Sequence, residues 1–334
     1  MGEGVKMKKT AVVLLNLGGP LSQEEIKPFL FSLFSDPAII TLPNPFRYIL
    51  AHAVTWGRLK EAQHIYSLLG GGSPLLKNTR DQAQALEAEL GDGFRVFVAM
   101  RHATPFTEET FKEVRSYGPE EIVLLPLYPQ YSTTTTESSF KAWHKATMGW
   151  DIPTRSVPFY PSEEGFVEAM KELTLPHYKE AQKKGTPRVL MTAHGLPEKV
   201  IKKGDPYQRH VEETAKRLAE KLDISSLDFV ICYQSRVGPL KWTRPSLAEE
   251  VLKASQEKRP LVVIPLSFVS EHSETLVELD MTYHDLALKR GCPAYHRVKT
   301  VQTHPAFIEG LAGLVRKCSI PNRYCEGERP KQSH

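Results

Sequence analysis

Residues 270–280 read SEHSETLVELD, placing four carboxylates (Glu271, Glu274, Glu278 and Asp280) and His272 directly after the apolar run PLVVIPLSFV. Ser270 is placed to cap a helix, and Glu271 just inside it would meet the positive end of the helix dipole. At about 100° per residue, Glu271, Glu274 and Glu278 then share one helical face within about 60° of arc. Leu276, Leu279 and Tyr283 take the neighbouring, anchoring face. Like charges stacked this way cost about 0.2–0.5 kcal/mol per pair on a solvated helix, and burial would keep some of them protonated. A solvated acidic face is the ordinary outcome. The alternative is a carboxylate row that passes a divalent cation or protons, since oxygen ligands hold such ions and carboxylates exchange protons readily.

A second candidate stands in MTAHGLPEKVIKKGDPY, where an apolar run breaks after His194 at Gly195 and Pro197. An imidazole near its ordinary pKa can accept a proton or bind a metal. Other stretches offer less. MRHATP presents Arg101 and His102, and YPQYSTTTTESS presents Tyr128, Tyr131 and hydroxyls that could equally serve as spare helix caps. GGGSP lacks the spacing and the Lys-Ser/Thr of a phosphate loop and reads as a turn. GxSxG, HExxH and zinc-type cysteine patterns are absent from the sequence.

The elements that must position these residues are short apolar runs: 11–17, 95–100, 122–128, 188–193, 228–233 and 261–269. Runs apolar on both faces suit buried parallel strands. Helical patterns such as TRDQAQALEAEL and HVEETAKRLAEKL lie between them. The alternation predicts an α/β fold with sites at the carboxyl ends of the strands, where His194 and the acidic segment fall. The six runs also form two matching triplets. VVLLNLGGP parallels VLMTAHGLP, and IVLLPLYPQYSTTTTESS parallels LVVIPLSFVSEHSETLVE. Two similar halves with a cleft between them follow, at 8–160 and 161–315, with a tail at 316–334. The first half carries an insertion within 21–80.

That insertion contains an amphipathic segment. Asn44 suits an N-cap and Pro45 the first turn, and Phe46, Ile49, Leu50, Ala53 and Val54 then form one apolar stripe. The stripe fits an ordinary helix packed on the core. It equally fits an apolar lip beside a hydrophobic ligand and a membrane, with Arg47, Arg58 and Lys60 at its polar edge.

The chain of 334 residues is 41% hydrophobic and 25% charged, with a net charge of +4. That is ordinary for a protein with a sizeable core and too small an excess to indicate nucleic acid. The basic N-terminus leads into a strand rather than an export signal, and no run approaches the roughly 20 apolar residues of a membrane span. Cys232, Cys292, Cys318 and Cys325 form no CxxC pair, which points to free thiols in a cytoplasmic setting.

LLNLGGP, GGGSP, YPQYS, AHGLP, GDPY, YQSRVGP and SEHSETLVELD occur in this order, and together they resemble the ferrochelatase family from residue 11 to about 310. The resemblance implies two Rossmann-like domains around a porphyrin cleft. It also implies insertion of Fe2+ into protoporphyrin IX, the last step of haem synthesis. Through AHGLP it implies His194 as proton acceptor or metal ligand, and through SEHSETLVELD it implies Glu274 as its partner across the cleft. Glu271, His272, Glu278 and Asp280 then line a proton and metal path. Leu17, Tyr66, Ser73, Arg101, Tyr131, Ser235, Trp242 and Phe268 resemble porphyrin-contacting positions, with Arg58 near a propionate. His102 stands where the family often has tyrosine. The lip reading of residues 40–60 is favoured, and with it peripheral membrane contact. An iron–sulfur cluster is not expected: the tail offers only Cys318 and Cys325, and Thr133 replaces a cysteine of cluster-bearing relatives. On this reading His194 is the base, and Glu274 with its acidic neighbours is the ion path. A chelatase for coproporphyrin or a corrinoid precursor, and a haem or iron carrier, are the rivals.

Overall fold

The structure, a computed structural model, describes residues 8–318 other than 237 and 239. Among the described residues, eight strands form two separate parallel sheets. β1 (Thr10–Asn16), β2 (Phe94–Met100), β3 (Glu121–Pro126) and β4 (Thr154–Ser156) are ordered β2-β1-β3-β4. β5 (Arg188–His194), β6 (Phe229–Gln234), β7 (Leu261–Pro265) and β8 (Tyr295–Arg297) are ordered β6-β5-β7-β8. The two orders are the same, so the triplet repeat in the sequence is a repeat of topology. β1, β3 and β7 are buried along their whole length, as strands covered on both faces must be. β4 and β8 escaped the sequence reading because each has three residues and carries an arginine.

The helices are α1 (Ile26–Ser35), α2 (Phe46–Ser67), α3 (Leu75–Leu90), α4 (Thr107–Tyr117), α5 (Thr136–Ala146), α6 (Glu164–Gln182), α7 (Glu198–Lys202), α8 (Tyr207–Leu222), α9 (Leu247–Gln256), α10 (His284–Lys289) and α11 (Pro305–Lys317). A π-helix runs over Glu274–Tyr283. The extra residues between 21 and 80 are α1 and α2. α2 starts at Phe46 after Pro45, so Asn44 is not its cap. It packs inward through Ala51, Thr55, Ala62 and Tyr66. Its expected apolar stripe points the other way: Phe46 is 63% and Ile49 64% exposed, and Leu50 and Trp56 are exposed as well. The core-packing reading of that stripe is therefore corrected.

The halves share one core. Leu14 and Leu125 of the first sheet belong to the same cluster as Met191 and Ile264 of the second, with Phe166 of α6 and Phe307 of α11 included. Buried polar bonds cross the same seam. Gln82 on α3 donates to the carbonyls of Val269 and Gln302, both at 3.0 Å. Gln130 donates to the Leu266 carbonyl at 3.2 Å and to Thr214 at 2.9 Å. α11 continues to Lys317, and the Cys318 thiol donates to the Ser156 carbonyl at 3.2 Å. Residues 316–318 thus belong to the packed body, and the rest of the expected tail, including Cys325, lies outside the described residues.

Candidate active site

His194 is the last residue of β5, and its backbone N–H donates to Ser267 Oγ at 3.2 Å. The chain turns at once, with Gly195 N donating to the Gln234 carbonyl at 2.8 Å. A Cβ on Gly195 would stand 2.9 Å from that carbonyl oxygen and 3.4 Å from the Trp242 ring. The AHG sequence therefore reflects a close approach of backbone to backbone.

His194 Nδ1 lies 2.8 Å from Glu274 Oε2. This corrects the expectation that the two face each other across a cleft. β5 and β7 are neighbours in one parallel sheet, so groups that follow their carboxyl ends emerge at the same edge and meet. Nothing fits between groups so close, and a flat ligand must lie to one side of both. The contacts continue outward. Glu278 accepts from Ser235 N at 3.0 Å, Ser235 Oγ at 2.5 Å and Gln234 Nε2 at 3.1 Å, while Ser235 Oγ is also 3.3 Å from Glu274 Oε2. Ser235 adopts φ 62°, the left-handed region, which costs a side-chain-bearing residue about 1–3 kcal/mol. That conformation delivers its N–H and hydroxyl to the same carboxylate.

The acidic segment departs from the α-helix expected of it. The helix begins at Glu274, so Ser270 does not cap it and Glu271 precedes it. Ser270 Oγ instead donates to Gln82 at 2.8 Å. The element is a π-helix, bonded i to i+5 and common at functional sites. Glu274 and Glu278 remain together, but Glu271 and Asp280 are both held by Arg297. His272 Nδ1 donates to the Ser270 carbonyl at 3.0 Å, its Nε2 lies 3.9 Å from Glu274 Oε2, and its ring packs on Phe268 at 4.7 Å.

The electrostatics separate the three central groups. Burial pushes the Glu274 carboxyl up, but the charge and hydrogen bond of His194, aided by His272 and Ser235, bring it down to about 2. For His194, burial acts downward and is outweighed by Glu274 and Glu278, so the imidazole is raised. Glu278 is raised by its own burial and then by the charge of Glu274. Glu274 is thus held as a carboxylate that favours a proton on His194, beside a Glu278 that holds its own proton more readily than an ordinary carboxyl, and environments that divide neighbouring groups this way separate acid and base roles.

The first half supplies the other residues. Tyr66 reaches the start of the π-helix through a hydrogen bond to Ser273, and burial pushes its hydroxyl up to about 12. Arg101 bonds buried Asp36 at 2.7 Å and Ser138 at 2.8 Å. Beside them His102 is buried with Nδ1 3.3 Å from Ser32 Oγ; burial and then the Arg101 charge depress it to about 3, so it is neutral. Leu17 accepts from His102 N at 2.9 Å, Ser73 N donates to the Pro20 carbonyl at 2.7 Å, and Tyr131 donates to Glu137 at 3.1 Å. A Cβ on Gly19 would meet Ser73 Oγ at 2.7 Å, so LGGP and GGGSP are two sides of one contact. Arg58 stays on α2, 3.6 Å from Glu61. Sequence reasoning had Ser138 only as one hydroxyl of YPQYSTTTTESS, and it missed Asp36, Gln234 and Arg297. Gln234, inside YQSRVGP at a strand end, was within its reach; the others carry no local signal.

A family model described as Ferrochelatase matches residues 9–319. The chain belongs to the ferrochelatase family. A ferrochelatase of Wolbachia sp. subsp. Drosophila simulans (strain wRi) is 48% identical over 312 residues, covering 92% of this chain and 98% of the relative. The ferrochelatase of Caulobacter vibrioides (strain NA1000 / CB15N) is 48% identical over 314 residues, covering 92% and 90%. Among solved structures, SirB from Bacillus subtilis with Fe3+ superposes with a TM-score of 0.56 over 92% of this chain and 95% of SirB, at 12% identity. That likeness shows that this ferrochelatase-family chain shares its two-sheet fold with a chelatase.

Proposed function

We propose that this ferrochelatase-family chain inserts Fe2+ into protoporphyrin IX, with His194 accepting the pyrrole protons and Glu274, Glu278 and His272 forming the route for ion and proton. The observation that carries the reading is the continuous series His194–Glu274–Ser235–Glu278 at the carboxyl edge of the second sheet. Metalation releases two pyrrole protons as one divalent ion enters. In its neutral form His194 keeps the Nδ1 proton on the hydrogen bond to Glu274 and offers the Nε2 lone pair to a pyrrole N–H, so that capture of the proton forms an imidazolium beside the Glu274 carboxylate. Its raised basicity favours capture, and the proton can pass through Glu274 to Glu278, the acid that holds one readily. Arg101, fixed by Asp36 and Ser138, together with Leu17, Tyr66, Ser73, Tyr131, Trp242 and Phe268, would line the porphyrin, and Arg58 would meet a propionate.

The test is anaerobic mixing of protein, Fe2+ and protoporphyrin IX with coproporphyrin run in parallel, followed by absorbance. Many turnovers on protoporphyrin are expected. A single equivalent of product would mark a carrier, and faster coproporphyrin turnover would move the assignment to that substrate.

The exposed stripe of α2 supports peripheral membrane contact by a cytoplasmic enzyme. Among the described residues no helix is long and apolar enough to cross a membrane, but Phe46, Ile49 and Trp56 are each more than half exposed, with Arg47, Arg58 and Lys60 nearby. Each apolar side chain fully buried in lipid contributes about 1.5–3 kcal/mol. Replacing Phe46 and Ile49 together by Ser should weaken co-sedimentation with vesicles containing anionic lipid by at least about tenfold, leaving turnover of detergent-dispersed porphyrin within about twofold. Equal binding by both proteins would remove the proposal.

A protein without an iron–sulfur cluster is proposed as well. The amide and hydroxyl of Thr133 are both taken by Asp205 Oδ2 at 2.7 Å. Burial pushes the thiols of Cys232 and Cys292 up, which disfavours the thiolate that a cluster requires.

A further inference from the structure

We propose that Arg297 is a positioning residue for the iron route: it clamps Glu271 and Asp280, fixes the π-helix, and so aims Glu274 and Glu278. The inference rests on the reading of Glu274 and Glu278 as that route. Arg297 Nε donates to Asp280 Oδ1 at 2.7 Å, and Nη2 donates to Asp280 Oδ2, a fork on one carboxylate. Nη1 donates to Glu271 Oε1 at 2.6 Å, an oxygen that also accepts from Thr300 N at 2.9 Å. Glu271 precedes the π-helix and Asp280 lies within it, so the clamp grips the element on both sides of Glu274.

The clamp is anchored to the sheet. Arg297 is in register with Val263 of β7, and from the same short strand Tyr295 donates its hydroxyl to the Leu279 carbonyl inside the π-helix at 2.9 Å. A rigid connection therefore runs from the second sheet to the backbone that carries both acids. The side chains of Arg297 and Glu271 are 7% and 9% exposed. Pulling a carboxylate away to ligate a passing cation would leave the buried guanidinium undercompensated, a costly state. Glu271 and Asp280 consequently serve the route by holding it in place, and the carboxylates that touch the ion are Glu274 and Glu278.

The experiment uses the full chain with Arg297→Lys, Asp280→Asn and the double variant, assayed anaerobically with Fe2+ and protoporphyrin IX varied separately. Loss of an outer-sphere partner typically costs 10–100-fold. Each single change should lower kcat/KM for Fe2+ about tenfold, while protoporphyrin affinity by fluorescence quenching stays within about twofold. The double variant should be no worse than the more damaged single, because both changes open one clamp. Asp280, 35% exposed, tolerates substitution and keeps the test available should Arg297→Lys fail to fold. Multiplied losses in the double variant, or parallel loss of porphyrin affinity, would overturn the clamp. Glu278→Gln separates the two failures. An unaltered kcat/KM for Fe2+ there overturns the route itself, whereas loss there with none in Arg297→Lys and Asp280→Asn overturns the clamp alone.

Discussion

Replacing His194 by Ala should lower kcat for iron insertion by about 10²–10⁴-fold, the range for removing a positioned general base. Two effects combine. On the proposed reading the pyrrole protons lose their acceptor, and Glu274 loses the charge and hydrogen bond of His194 that hold its carboxyl down to about 2 against its own burial, so it would turn toward the protonated form and be a poorer ion ligand. His194 is the terminal residue of its strand and keeps part of its surface exposed, so truncation leaves the core intact. The measurement is anaerobic turnover beside equilibrium porphyrin binding. Binding should persist while turnover collapses, and a kcat within tenfold of the unmodified protein would falsify the assignment of His194 as the base.

The second large effect falls on stability. Gly165 lies in the first turn of α6, where α11 crosses. A Cβ there would stand 2.0 Å from the Ala306 carbonyl oxygen and 3.2 Å from the Cα of Gly310. Both neighbours are backbone, so the methyl group can be accommodated only by separating two helices that close the shared core. Overpacking of this kind typically costs about 1–3 kcal/mol and occasionally more, against at most about 1 kcal/mol gained from the better helix former. Gly165→Ala should therefore lose about 1–2 kcal/mol in urea unfolding. Gly313 on α11 has nothing within 4 Å of its Cβ position, and Gly313→Ala should hold or slightly raise stability. Equal outcomes for the two variants would contradict the helix crossing.

Which parts of this arrangement were legible in the sequence follows from physical range. The six longer strands announced themselves as short apolar runs, and the two matching triplets anticipated that the two sheets repeat one topology. β4 and β8 did not, since three residues with an arginine among them carry no periodic signal. His194 and Glu274 could be singled out by their position after buried strands. Their direct contact could not, because it depends on β5 lying next to β7, a fact of sheet order rather than of local sequence. The acidic face was drawn with the periodicity of an α-helix and came out as a π-helix, which divided the four acids differently. Arg297 then decided that division, and nothing near YHRVK marks it as the partner of residues 17 and 26 positions earlier. The exposed side of α2 was ambiguous for a related reason. An amphipathic stripe states that one face is apolar, and only the packing shows whether that face is covered.

The apolar interior that runs unbroken from one sheet to the other has a mechanical consequence. Two lobes joined by a thin strap could open and shut like jaws around a substrate; these two are fused along their length, with Gln82 and Gln130 pinned across the join. On the proposed reading, movement that admits a macrocycle would therefore lie at the rim around the outward-facing helix α2 rather than in a swing of one half against the other.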